Sequence, residues 1–252
     1  MNTHDRLKHF GYAVEPGIFP AHFCDKIGAI LDSIEPTCKK IDREMQVVLH
    51  CIHEADERLL MFVDDGPIFR VVQSVLNSGE QIILNSLSAS RAKKTDDETF
   101  ARNADAWRAH IDHRMPTPDF ENTASICAMI AVDDMTLENG ALRVWPFSHL
   151  SKEKPPRDQS YLPSPIDCVV PKGSVIYWLG QTWHSIGRNV SGARRWSIIG
   201  HWTEWWIKPT FNYAWREWTP ALITDRQRKL LGYNSIPPTS RESRSHTVTE
   251  LA

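Results

Sequence analysis

Two stretches of the chain place apolar residues at the period of an α-helix. Between positions 20 and 35, Phe23, Ile27, Ile30, Leu31 and Ile34 recur three or four apart, and Pro36 stops the run. Between positions 67 and 76 the stripe is Ile68, Val71, Val72, Val75 and Leu76. Pro67 sits where a helix start tolerates proline, and Asn77-Ser78-Gly79 supplies the stop. Beyond position 80 the texture changes to short β-prone runs separated by turn residues, at 81–89, 124–132, 141–145, 167–170, 174–179 and 195–202. Loops rich in Pro, Asp and Gly separate them, notably 115–119 and 151–165. A last short helix is expected at 225–231, capped by Gly232. The tail from Ser235 offers little to bury and is expected to be loosely ordered. Helices first and short strands after predict a mainly β (α+β) architecture: a two-sheet β core supported by N-terminal helices. No repeat or linker divides it, so residues 1–234 read as one domain.

Composition narrows the function. The 252 residues carry 29 Lys+Arg against 31 Asp+Glu, a formal charge of −2, so no basic surplus favours nucleic acid as a partner. With 41% apolar and 24% charged residues, a chain of this length can bury a core. Its longest apolar runs, such as 124–132, fall short of the ~20 residues a membrane span needs. The opening MNTHDRLKHF has no apolar stretch and does not read as a signal peptide. The cysteines Cys24, Cys38, Cys51, Cys127 and Cys168 are scattered, with no CxxC pair, which suits reduced thiols and a cytoplasmic location. The histidines invite a metal search.

His110 and Asp112 stand two apart. On a strand, positions i and i+2 share a face, so an imidazole and a carboxylate would converge there. His184 is the natural third ligand of a 2-His-1-carboxylate site of the kind that holds Fe(II). A turn rich in Gly, Asn and Ser follows it. Folded as a hairpin about Asn189-Val190, the chain would set position 184 opposite 195, with Cβ atoms about 5 Å apart. The Arg195 guanidinium would then offer a fork to a carboxylate beside the metal. Arg194 competes for that role, but alternation sends it to the other face. His113 competes with His110 and also falls on the other face. His50-x-x-His53 with Glu54 has helical zinc spacing but no third ligand, and reads as a solvated or pocket-rim segment. His149 reads as a turn-stabilising residue, Cys127 as a buried small hydrophobe, and Lys152, Lys154 and Arg157 as a solvated loop. Trp202, Trp205, Trp206, Trp215 and Trp218 follow the last core strand. They read as a cap on the barrel end, with Trp205 or Trp206 as candidates for the substrate mouth.

Four motifs in order carry a resemblance. They are the HxD of His110 and Asp112; Glu138-Asn139-Gly140-Ala141-Leu142-Arg143-Val144-Trp145-Pro146-Phe147-Ser148-His149; Pro171-Lys172-Gly173-Ser174; and H-x-x-G-x-N-x-S-x-x-x-R from His184 to Arg195. Together they resemble the phytanoyl-CoA dioxygenase family of non-haem iron, 2-oxoglutarate-dependent oxygenases. The resemblance implies a double-stranded β-helix (jelly roll, cupin-like) core. It also implies Fe(II), 2-oxoglutarate and O2 as cofactor and co-substrates. Within it, His110, Asp112 and His184 match the iron ligands, and Arg195 matches the arginine for the distal carboxylate of 2-oxoglutarate. Gly187 and Asn189 match the turn between them. The chain departs from the family pattern at Phe147, where Gly is usual, at Ile186, where some members carry Ser, and at Arg108, where several carry Gln. Met129 stands at a co-substrate wall position. Arg108, Trp145, Trp205 and Trp206 are the candidate substrate contacts. The function this implies is oxidation of a small organic metabolite, by hydroxylation or else desaturation, epimerisation or cyclisation, in a specialised biosynthetic pathway. Asp112 argues against halogenation, in which chloride takes the place of the carboxylate. The expected partner is a small molecule, without nucleic acid or membrane, for a monomer or homodimer. The rival readings are a non-oxidative cupin-like isomerase and a catalytically silent binding module.

Overall fold

Helices at the N-terminus start and stop on the residues that local chemistry favours. In the computed structural model, which describes residues 1–76, 81–112, 123–213 and 222–233, α1 (Thr3–Phe10) is capped by the Asn2 side chain, which accepts from Asp5 N, and closes on Gly11 at φ 81. α2 (Ala21–Ile34) ends two residues before Pro36, and α4 (Gly66–Val75) carries Pro67 in its first turn with Asp65 as cap. Between them lie α3 (Ile52–Ala55) and a 3₁₀ turn at Glu57–Val63. α5 (Asp97–Arg102) and α6 (Asp225–Leu230) complete the described α-helices; α6 has a capping box of Thr224 and Gln227.

The strands are β1 (Tyr12–Glu15), β2 (Lys40–Asp42), β3 (Gln46–His50), β4 (Ile82–Ala92), β5 (Ser125–Ala131), β6 (Leu142–Val144), β7 (Ile166–Cys168), β8 (Val175–Leu179), β9 (His184–Ile186) and β10 (Trp196–Glu204). They form two antiparallel sheets. The large one has the order β1-β8-β5-β10-β4-β3-β2, and the small one β7-β6-β9. This is the expected jelly-roll arrangement. One face of the large sheet, with Leu84, Leu87, Ile126, Ala128, Ile130, Tyr177, Trp196 and Ile198, packs with Leu7, Ile27, Leu31, Ile68 and Val72 of the helices. The opposite face, with Cys127, Met129, Ala131, Ile176 and Trp178, packs with Leu142, Val144 and Cys168 of the small sheet. β5 is therefore buried on both faces, which is why it reads as a continuous apolar run rather than an alternating one. A bulge at His201/Trp202 pairs Trp202 with Leu84 and His201 with Ser86, leaving Asn85 as the extra residue on β4. β10 keeps its alternation through the bulge, with His201 on the inner side and Trp202 in the helix-side core, while β4 changes phase so that Leu84 and Leu87, three apart, both enter that core.

Two expectations are corrected. The N-terminal segment is not helical support alone, because β1 joins one edge of the large sheet and β3 with β2 the other. These strands are short, and β3 alternates buried and half-buried positions over only five residues, too brief a pattern to stand out. The hairpin that set 184 opposite 195 is also corrected. β9 pairs with β6, whereas β10 lies between β4 and β5, so the chain crosses from one sheet to the other between them. Asn189 holds that crossing: its side chain donates to Ala193 O at 2.9 Å and accepts from Gly192 N at 2.8 Å. A Cβ on Gly187 would lie 2.4 Å from Ala141 O, and one on Gly140 2.5 Å from Gly187 O. Only glycines let these two backbones touch. The stop at 77–79, the loop 115–119, His113, Trp215, Trp218 and the tail 235–252 lie outside the described residues.

Candidate metal centre

His110 and His184 are held together by their own backbones. His110 N donates to His184 O at 2.9 Å and His184 N to His110 O at 3.0 Å, which brings the ring centroids to 4.3 Å. Among the described residues His110 pairs only through this isolated bridge, so the strand expected for the HxD is corrected. Two residues on, Asp112 N donates instead to Gly180 O, just past β8. The short motif thus ties to the small sheet at its histidine and to the end of a large-sheet strand at its aspartate.

The ligand atoms of His110, Asp112 and His184 all lie within 4.8 Å of one another. No other such group of three occurs among the described residues. His184 Nδ1–H donates to Thr182 O at 2.9 Å, since a carbonyl can only accept, and this leaves Nε2 facing Asp112 Oδ2 at 3.3 Å. His110 Nδ1 lies 3.3 Å from Arg108 O. Burial works against the Asp112 charge, yet His184, His201 and His110 hold its carboxyl well below the usual range. Burial likewise works against a charged His184, but the facing carboxylate raises its pKa above the ordinary imidazole value. Without a metal, a proton joins the two, and a cation can replace it.

Arg195 precedes β10 and shares its inner face, by alternation, with Ser197, Ile199 and His201. It is 1% exposed, and among the described residues Nε and Nη2 have no hydrogen-bond partner. Burial pushes its pKa down to about 10, so it stays charged at neutral pH. A buried cation without a partner is costly, and the donor set fits an anion such as a carboxylate. Arg194, its neighbour, points away and binds Asp133 at 2.8 Å and Asp32 at 2.7 Å. Met129 lies between the sheets, opposite Ile199 and Ile176.

The remaining expected positions fall as follows. Arg108 is half-buried and pairs with Asp105 at 2.8 Å. Trp145 is buried, and its Nε1 donates to Pro163 O, which fastens the loop 151–165. Trp205 and Trp206 are 51% and 62% exposed, so neither caps the core; Trp202 is buried there, with Nε1 on Val63 O. The His50–His53 segment is not simply solvated. His53 is fully buried against the Tyr213 ring, and half-buried His50 lies 3.3 Å from Ser88 Oγ. His149 is buried and its Nε2–H donates to Lys8 O, tying its turn to α1. Phe147 adopts φ 66, the left-handed region that favours glycine, and packs on His9 and Phe10. Lys152, Lys154 and Arg157 are exposed.

Three residues around the centre are not evident from the motifs. Cys127 is buried as expected but is more than a hydrophobe, because its Sγ donates to Asp112 Oδ2 at 3.2 Å. Trp178 Nε1 donates to the same oxygen at 2.8 Å. Gln159 pairs its amide with both backbone groups of Ala109, at 2.8 and 2.9 Å, beside His110. Strand alternation links Cys127 and Met129 to one face, but nothing local links that face to position 112.

The fold is shared with solved structures. HygX from Streptomyces hygroscopicus, crystallised with nickel and 2-oxoglutarate, superposes with a TM-score of 0.67 at 14% identity, over 81% of this chain and 86% of that one. SnoN, a non-heme alpha-ketoglutarate-dependent epimerase from nogalamycin biosynthesis, gives 0.62 at 16% identity, over 80% and 81%. The uncharacterized proteins Rv1501 of Mycobacterium tuberculosis and Mb1539 of Mycobacterium bovis are 35% identical over 118 residues, 44% of this chain. The match spans 41% of the length of each of these curated relatives. Residues 8–197, which include the three clustered ligand residues and Arg195, match the family model of phytanoyl-CoA dioxygenase (PhyH). By that match, over most of its length, the chain belongs to the phytanoyl-CoA dioxygenase family.

Proposed function

We propose that this chain is an Fe(II)- and 2-oxoglutarate-dependent oxygenase acting on a small organic molecule. The observation that carries the reading is a His-Asp-His cluster together with a buried guanidinium whose Nε and Nη2 have no partner among the described residues, on the inner face of the large sheet from which Cys127 bonds Asp112. Two imidazoles and one carboxylate form a donor set suited to Fe(II) that leaves coordination positions open. In this reading His110, Asp112 and His184 hold the metal, Arg195 binds the far carboxylate of 2-oxoglutarate, and Met129 walls the co-substrate. When bound, Fe(II) and 2-oxoglutarate supply O2 activation coupled to decarboxylation to succinate, which drives oxidation at a substrate C–H bond. The protein orients these groups and keeps the inter-sheet space dry, with Ile176, Met129 and Ile199 as its apolar wall.

Arg108 and Trp145 belong, in the same proposal, to the substrate side, and Trp205 and Trp206 to its outer approach. The outcome is hydroxylation or a related step from the same C–H oxidation, including desaturation, cyclisation or the epimerisation that SnoN performs. The substrate is a metabolite of a specialised pathway, a setting supported by the nogalamycin and hygromycin B ligands of SnoN and HygX. Residues 1–234 act as one catalytic domain, working in the cytoplasm as a monomer or homodimer without nucleic acid. Among the described residues no helix is long and apolar enough to cross a membrane.

The test is anaerobic titration with Fe(II) and then 2-oxoglutarate, followed by succinate assay after O2 is admitted. One Fe(II) per chain and iron-dependent succinate are expected, with both lost in His184→Ala. Full iron occupancy in that variant, or no succinate from the loaded parent, would overturn the reading.

A further inference from the structure

Asp112 does not meet His184 by its own preference. Its side chain has two freely rotating bonds, and a carboxylate beside two imidazoles can turn either oxygen, or neither, toward them. Among the described residues its three contacts all fall on Oδ2: Trp178 Nε1 at 2.8 Å, Cys127 Sγ at 3.2 Å and His184 Nε2 at 3.3 Å. The two donors come from neighbouring strands in register, since Cys127 on β5 pairs with Trp178 on β8, and His201 lies opposite Cys127 on β10. Trp178 is 2% exposed, and its ring lies 5.0 Å from that of His184. It therefore touches two of the three clustered side chains at once. An indole N–H donates only and does not titrate in the working range, so this contact survives any protonation change at the cluster.

We infer that Trp178, with Cys127, is a positioning residue of the metal centre, its N–H fixing the Asp112 carboxylate against His184. The inference rests on the metal reading above. The inner face of the large sheet then does more than wall the cavity: one row of it sets the acid ligand that the HxD loop delivers from outside the sheet. Partners of this kind around a ligand carboxylate are worth roughly 10–100-fold in metal affinity.

The experiment compares Trp178→Phe with Trp196→Phe. Both remove an indole N–H bonded to an aspartate, but Trp196 Nε1 binds Asp32 on the helix side of the sheet. Fe(II) affinity is measured anaerobically without 2-oxoglutarate, and the visible absorption of the Co(II)-loaded protein reports the ligand field. Trp178→Phe is expected to weaken Fe(II) binding about 10–100-fold and to move the Co(II) bands, whereas Trp196→Phe does neither. His110→Ala, run in parallel, separates the two readings. If it abolishes binding while Trp178→Phe binds like the parent with unmoved bands, the inference is wrong and the metal site stands. If His110→Ala itself binds fully, the metal reading fails first. Should Trp178→Phe not fold, Cys127→Ala and Cys127→Ser decide, since serine keeps a donor to the same oxygen. Weaker binding in the alanine variant, recovered by serine, supports the inference, and equal binding in both overturns it.

Discussion

Arg194 and Arg195 are adjacent and chemically identical, yet their surroundings give them opposite tasks. Arg194 is half-exposed and satisfied by Asp133 and Asp32, so it closes the surface between β10 and α2. Arg195 is buried, and among the described residues its Nε and Nη2 are unmet. A charge-assisted pair is worth about 1.5–3 kcal/mol, and each 1.4 kcal/mol is tenfold in affinity. Arg195→Ala is therefore expected to weaken 2-oxoglutarate binding roughly ten- to a hundredfold, with Fe(II) binding kept. Arg194→Ala should leave it unchanged and cost at most about 1 kcal/mol of stability. Absorbance titration of the anaerobic Fe(II) protein with 2-oxoglutarate checks both, and damage confined to Arg194→Ala would reverse the assignment. A second outcome follows from the missing partner. Replacing buried ionic groups by apolar ones has stabilised proteins by about 1–4 kcal/mol. Arg195→Met should thus raise the unfolding midpoint of the ligand-free protein while abolishing tight co-substrate binding. A lower midpoint in denaturant unfolding would show that Arg195 is not a strained site.

At the scale of elements, the crossing from β9 to β10 decides where Arg195 lies. It is a transfer between sheets, held at Asn189 by bonds to Ala92 O, Ala193 O, Ser191 and Gly192. Asn189→Ala removes all of them, including the donor to the buried Ala92 O at the end of β4. At about 1 kcal/mol per bond, a loss of roughly 2–4 kcal/mol is expected. It should come with weaker 2-oxoglutarate binding, because the turn no longer sets the start of β10. Asn189→Asp keeps the acceptor bonds and loses the donors, so it should fall between. Urea unfolding and co-substrate titration on the same samples check this, and loss of stability with unchanged affinity would detach the turn from the site. The H-x10-R spacing was legible in the chain, but the hairpin inferred from it was not correct. Equal distance from a turn centre does not tell whether the two arms pair with each other or with different sheets. That choice is made by partners remote in sequence, β6 for His184 and β4 with β5 for Trp196.

For the whole molecule, the facing Asp112 and His184 link folding, protons and metal. The folded pKa of His184 is raised, so its contribution to the metal-free protein is full below the unfolded value of about 6.5 and fades as pH rises through the folded one. The folded pKa of Asp112 is lowered, so its contribution is full above about 3.9 and fades as pH falls through the folded value. The pair is thus complete only between those limits, and the metal-free midpoint should decline as pH rises past the folded His184 value. Fe(II) needs the imidazole without its ring proton, so its affinity should rise about tenfold per pH unit below that value and level off above. Metal stabilises by RT ln(1 + [L]/Kd), which makes the gap between loaded and metal-free midpoints widest on the alkaline side. Thermal unfolding with and without Fe(II), anaerobically, between about pH 5 and 8 measures it. A gap that narrows as pH rises would contradict the linkage.

The long helices, the main strands, the HxD and the distal histidine with its arginine were all visible along the chain. Each is a local matter: apolar spacing sets which face is buried, Pro and Gly set where an element stops, and a ligand motif needs only neighbours in sequence. α2 and α4 appear within a residue or two of where their stripes predict, and β5 where its apolar run does. The short strands β1, β2 and β3 were not visible, because three to five residues of weak alternation gain their stability from the sheet edge they join. Nor did the chain mark the supports of the centre. Cys127, Trp178 and Gln159 lie 15, 66 and 50 residues from the groups they bond. Only closure of the two sheets, which brings these side chains beside groups remote in sequence, decides those contacts.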